Sequence, residues 1–224
     1  MANARDIGKS ILAQAPNIAP GAASTVLRRA LDLAIDGVGK VPGAKTTAAN
    51  ALQKTGSAEL AIDQIVKQHV AMAGAQGFLT NLGGLATLAV SIPANVSGVA
   101  IVQCRMVAAV AHLRGYDIED PRVRSAILMC LLGEANAREA IDRRELPSSA
   151  LAIATAPVHD VALDNTISEK VLANLMGQVG GKRVSLLAGK KIPLVGGGVG
   201  AATDGWATWS TGAFAKSQFL NRRR

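Results

Sequence analysis

Apolar positions recur at helical spacing along almost the whole chain, and no run alternates apolar with polar over the length of a strand. Residues 22–39 read as an amphipathic helix carrying Val26, Leu27, Leu31, Leu33 and Ile35, stopped by Val41-Pro42-Gly43. Residues 2–14 and 46–54 fit shorter helices, with Pro16 and Pro20 ending the first. Ser57 is placed to cap a helix that carries Leu60, Ile62, Ile65 and Val66. Then the charges stop. Between Lys67 and Arg105 lie 37 residues, 68–104, with no charge once His69 is taken as neutral. Ser91-Ile92-Pro93 divides this stretch, and Pro93 suits the first turn of a new helix, where a missing N–H costs little. That helix is expected to run to Arg114, with Gly115 as its stop. Asp120 is a natural N-cap for the next, Pro121 its first residue, and Gly133 its end.

Beyond it, Glu134–Ile141 reads as helix, residues 143–147 as a polar break, and Ser148–Ala156 as a short apolar segment. The spacing predicts a helix over His159–Met176 ending at Gly177, then a basic, glycine-bounded segment over 180–191. From Ile192 a glycine-rich apolar segment leads into a final helix to about Leu220. The expected fold class is all-α: a compact helical bundle with a central apolar hairpin rich in glycine and alanine. The simplest division is a looser N-terminal helical arm (1–55), a helical domain (56–221) and a basic tail (222–224).

Composition sharpens this picture. Apolar residues make up 49% of the 224, charged residues 18% and aromatics 3%. The charged fraction is below the ~25% typical of soluble domains, and alanine, glycine, leucine and valine dominate, which points to helices packed closely through small side chains. Residues 69–92 are long enough to cross a bilayer core of ~30 Å, and 94–113 would complete a hairpin. Gln76, Thr80 and Asn81 with four nearby glycines, and Arg105 and His112 in the second arm, argue against permanent insertion. Burial inside a bundle is the leading expectation, reversible membrane association the next, and a true span the last.

The formal charge of +8 is uneven: residues 1–67 carry +3, residues 68–169 carry −3 and residues 170–224 carry +8, with Asp204 the one acid among the last. A basic end suits an anionic partner, while its plain reading is a solvated face. Cys104 and Cys130 lie in apolar helical segments and read as core thiols, which fits a reducing compartment. The N-terminus has no continuous apolar run of a secretory signal, so the cytoplasm is the expected location, extending to the inner face of the plasma membrane.

Few motifs promise chemistry. Gly196-Gly197-Gly198-Val199-Gly200-Ala201 has the letters of a dinucleotide-binding turn, but Pro193 disfavours a strand before it and the position about 20 residues on is Lys216, not an acid. Gly8-Lys9-Ser10 lacks the earlier glycine of a phosphate loop. His69, His112 and His159 show no metal-ligand spacing, and no nucleophile elbow exists. No catalytic residue, metal ligand or cofactor is therefore assigned. Arg105, in an apolar helix, needs a partner, and Asp204 is the mirror case. The two are expected to approach each other, with Asp160 and Asp164 as rivals. Trp206, Trp209, Phe214 and Phe219 concentrate the chain's aromatics in the final helix, near Lys216 and Arg222-Arg223-Arg224. Tryptophan beside basic residues suits a membrane interface; core packing is the plainer reading. Nucleic acid ranks lower, because base stacking wants exposed aromatics interleaved with basic residues.

Two stretches carry a resemblance. The first is Gly77-Phe78-Leu79-Thr80-Asn81-Leu82-Gly83-Gly84-Leu85, then Ser91-Ile92-Pro93-Ala94, then Val102-Gln103-Cys104-Arg105-Met106-Val107 leading to His112-Leu113-Arg114-Gly115-Tyr116-Asp117. The second is Lys191-Ile192-Pro193-Leu194-Val195-Gly196-Gly197, through Gly200 and Asp204 to Ala213-Phe214-Ala215. Together they resemble the EcsC family over roughly residues 60–220. The first pattern is also similar to the helical membrane-associated domain attached to some bacterial GTPases. The resemblance implies an all-α bacterial protein, often linked with membranes or an ABC-transporter operon, and brings no catalytic residues.

The functional expectation is a non-enzymatic accessory protein that touches a membrane or lipid. Anionic headgroups would meet Lys182, Arg183, Lys190, Lys191, Lys216, Arg222, Arg223 and Arg224, with Trp206 and Trp209 at the interface. The alternative is a soluble module holding an apolar ligand, such as an acyl chain, between helices 69–92, 94–113 and 193–220. A lipid hydrolase is a third reading that lacks a nucleophile. An exposed glycine-rich helix face would also serve self-association.

Overall fold

Helix after helix follows from these periodicities. The computed structural model describes residues 22–38, 41–82, 92–188 and 193–222. Among them run nine helices: α1 (Ala22–Asp36), α2 (Ala44–Thr55), α3 (Ala58–Leu82), α4 (Ile92–Leu113), α5 (Pro121–Cys130), α6 (Gly133–Asp142), α7 (Ala150–Ala154), α8 (Val161–Ala188) and α9 (Pro193–Gln218). The protein is all-α. The one departure is a minimal antiparallel ladder between α1 and α2, pairing β1 (Gly37–Val38) with β2 (Val41–Pro42). Periodicity could not signal it, because two residues per strand cannot show alternation. Gly37 makes it possible, at φ +93°, and a Cβ there would lie 2.7 Å from the Val41 carbonyl oxygen.

Helix ends obey their capping residues. Asp120 accepts from the Arg122 N–H at 2.9 Å, with Pro121 in the first turn of α5. Gly115 ends α4 in the left-handed region, and the Tyr116 N–H returns to the Ala111 carbonyl at 3.0 Å. Gly133, at φ +75°, begins α6 after the two-residue turn that follows α5.

Two expected boundaries move. α8 does not stop at Gly177 but continues to Ala188. The Gly196–Gly200 segment lies within α9, which starts at Pro193, and does not form a turn leading into it. Glycine inside a helix costs only about 1 kcal/mol relative to alanine. Without a left-handed cap to stop the helix, tertiary packing carries it through.

α4 is the centre. Every residue from Gln103 to Ala111 is buried, so this part of the helix has no solvent face, in keeping with its largely apolar sequence. α1 and α2 pack on it, α2 also meets α3, and α3 packs extensively along α9. α1 and α2, expected as a looser arm, place Leu27, Leu31, Ala34, Ala44, Ala48 and Ala51 in the same apolar cluster as Ile62, Ile65, Met106 and Phe219. Cys104 and Cys130 are free and buried, as expected of core thiols. Burial pushes the Cys104 thiol up to about 12 and that of Cys130 higher still. The predicted helix over residues 2–14 lies outside the described residues.

Candidate functional site

α3, α4 and α9 form a layer whose register is fixed by their contacts. Glu59 pairs with Arg114 and His69 meets Arg105, so α3 and α4 are antiparallel. Asp63 pairs with Lys216, Val66 faces Gly212 and Val70 faces Gly205, so α9 also runs antiparallel to α3. The later half of α3 and the first halves of α4 and α9 therefore lie at one end of the bundle. In sequence these are residues 70–82, 92–104 and 193–203, and none carries a charge. At 1.5 Å per residue each spans about 15–20 Å, roughly half of a ~30 Å bilayer core. No helix among the described residues is long and apolar enough to cross a membrane.

A polar layer closes this end. His69 Nδ1 donates to the Ile65 carbonyl at 2.8 Å, which leaves Nε2 to accept from Arg105 Nε at 3.1 Å. The imidazole is therefore neutral, and burial holds its pKa down near 4, with the Arg105 charge a lesser cause. Arg105 is only 4% exposed. Its second terminal nitrogen lies 3.9 Å from Met72 Sδ, and Met72 is itself 43% exposed.

The expected Arg105–Asp204 pair is not among the ion pairs of the described residues. Asp204, half-buried in α9, has an interaction of its own. The rival acids are also used elsewhere. Asp164 takes Arg28, and Asp160 caps α8 by accepting from the Leu163 N–H at 3.0 Å. Arg105 thus keeps its charge against a neutral imidazole and a thioether. The sequence marked Arg105 but not His69, although both border the uncharged stretch.

Trp206 and Trp209 stand just beyond the uncharged end of α9. They are 69% and 48% exposed, and their rings stack with centroids 5.0 Å apart. The other two aromatics of this helix region turn inward: Phe214 is buried, and buried Phe219 meets Tyr116 edge-on at 5.0 Å. The clustered aromatics thus divide between the core and the surface, a choice that spacing alone did not make.

The basic residues separate as well. Lys216 is engaged with Asp63 at 2.6 Å. Arg222 lies 5.1 Å over the Tyr116 ring, and its backbone N–H donates to the Arg114 carbonyl. Lys182 and Arg183 are in the last turns of α8. Lys190, Lys191, Arg223 and Arg224 lie outside the described residues.

The model of the EcsC protein family matches residues 7–223, nearly the whole chain. The chain belongs to the EcsC family. This match reaches well upstream of residue 60 and takes in α1 and α2. Searches of curated proteins and of solved structures found no match.

One further polar cluster in this EcsC chain joins α1, α5 and α8. Ser125 Oγ donates to Asp164 Oδ1 at 2.6 Å and lies 3.4 Å from His159 Nε2. The other Asp164 oxygen accepts from Arg28. A catalytic triad puts histidine between acid and nucleophile. Here the acid binds the serine directly, and Ser125 is buried, so the cluster ties helices together. No group of side chains among the described residues is arranged to hold a metal ion.

Proposed function

We propose that this EcsC protein is a non-enzymatic accessory protein that associates peripherally with the cytoplasmic face of a membrane. The observation that carries this reading is the position of the exposed Trp206–Trp209 pair, at the border between uncharged helix ends and a charged body. Tryptophan favours that border in a bilayer because its ring is apolar and its N–H is polar. Uncharged ends of about 15–20 Å would enter one leaflet and stop at the His69–Arg105 layer. The excess of positive charge in residues 170–224 adds attraction to anionic lipid.

Detergent-free flotation with anionic and neutral vesicles, at low and high salt, tests the proposal. Flotation that is lost at high salt indicates a surface held by charge alone. Flotation that resists salt indicates insertion of the apolar end. If the protein floats with no vesicle, the membrane reading fails, and a soluble module with an acyl-chain ligand takes its place.

A further inference from the structure

Arg105 is the anomaly of the fold. A guanidinium keeps its charge at any ordinary pH, and burying one without an anion costs several kcal/mol. Arginine is almost never fully buried unless it is paired. Yet Arg105 is 4% exposed, within a run, 103–111, that is buried throughout, and among the described residues no carboxylate forms an ion pair with it. Its single close hydrogen-bond partner there is His69 Nε2, at 3.1 Å. That imidazole is neutral because its proton is committed to the Ile65 carbonyl. It orients the guanidinium without neutralising it.

The surroundings say what kind of anion would fit. On one side of Arg105, residues 70–82, 92–104 and 193–203 are uncharged along three adjacent helices. A small inorganic anion would gain nothing from that apolar end, whereas an anion carrying a hydrocarbon chain would. Access lies past Met72, whose sulfur is 3.9 Å from the guanidinium and whose side chain is 43% exposed. Methionine is unbranched and swings aside readily. Trp206 and Trp209 flank the same level of α9. We propose that Arg105, positioned by His69, is the receptor for the anionic head of a single acyl lipid, a carboxylate or a phosphate, whose chain lies along the uncharged helix ends. The proposal rests on the membrane reading above and specifies the lipid chemistry of that site.

The test uses the full chain and dioleoyl-phosphatidylcholine vesicles, either alone or with about a fifth of the lipid replaced by phosphatidic acid or by oleate. Binding is measured at high salt, where exposed lysines and arginines are screened and a buried charge is not. Wild-type protein is expected to bind one or both anionic compositions at least about tenfold more tightly than phosphatidylcholine alone, the scale of a charge-assisted contact. The composition that gains identifies the head as phosphate, carboxylate or either.

Arg105→Gln is expected to erase this preference, so that the anionic compositions bind no more tightly than phosphatidylcholine alone, and Arg105→Lys to retain part of it. His69→Gln is expected to weaken the preference without abolishing it. Equal binding of wild-type protein to neutral and anionic vesicles at high salt overturns the proposal, even if Arg105→Gln fails to fold. An undiminished preference in folded Arg105→Gln overturns it too. Absence of wild-type binding to every vesicle instead removes the membrane reading itself.

Discussion

His69 offers a residue-level measurement that needs no ligand. Its folded pKa is near 4, below the ordinary 6.5, because the charged form would be desolvated beside Arg105. A group depressed in the fold contributes stability above its unfolded pKa and loses it as pH falls toward the folded value. The loss therefore runs from about pH 6.5 down to about 4 and amounts to about 3 kcal/mol at 1.36 kcal/mol per unit. Asp63, Asp120 and Glu145, each held low by a cationic partner, lose their contributions mainly below pH 4.5. Denaturation midpoints between pH 7.5 and 5 should thus fall in wild-type protein and stay nearly level in His69→Gln. Equal slopes would mean that His69 is not buried neutral. Asp164 makes a separate case: Asp164→Ala removes the acceptor of both Ser125 and Arg28. It should cost about 1–3 kcal/mol in urea unfolding, the penalty for orphaned buried polar groups.

Among the elements, the α3–α9 contact depends on glycine in a way that α8 does not. A Cβ on Gly212 would lie 2.9 and 3.0 Å from the Val66 methyls and 3.3 Å from Met106 Sδ. Val66 is β-branched and turns with difficulty, so Gly212→Ala should destabilise by about 1–2 kcal/mol despite its better helix propensity. Gly177 has nothing within 4 Å of a Cβ and lies inside α8. Gly177→Ala should raise stability by about 0.5–1 kcal/mol. Thermal melts of the two variants should move in opposite directions, and a shared direction would contradict the packing described.

At the scale of the whole molecule, the exposed tryptophans should matter for association and little for folding. Their stack is on the surface, so Trp206→Ala/Trp209→Ala should leave the melting temperature within a few degrees of wild type. The same variant should float far less with anionic vesicles than wild type does. Unchanged flotation would move the contact surface away from α9. Lys216→Ala should weaken vesicle binding less than the double tryptophan change, because Lys216 is already engaged by Asp63.

Much was legible in the chain itself. Helical periodicity, Asp120-Pro121 at the start of α5, Gly115 after α4 and the burial of Cys104 and Cys130 are local or compositional properties, so sequence determined them. Gly177 misled because a glycine ends a helix only when the backbone turns left-handed, and packing decides whether it does. The partner of Arg105 was not legible either. Asp204 is separated from Arg105 by four intervening helices, and side-chain direction across an antiparallel layer depends on register. Only the tertiary structure set that register, through Val66 against Gly212 and Asp63 against Lys216. Packing likewise turned Phe214 and Phe219 inward and left Trp206 and Trp209 outside, a division among similar side chains that no periodicity within one helix encodes.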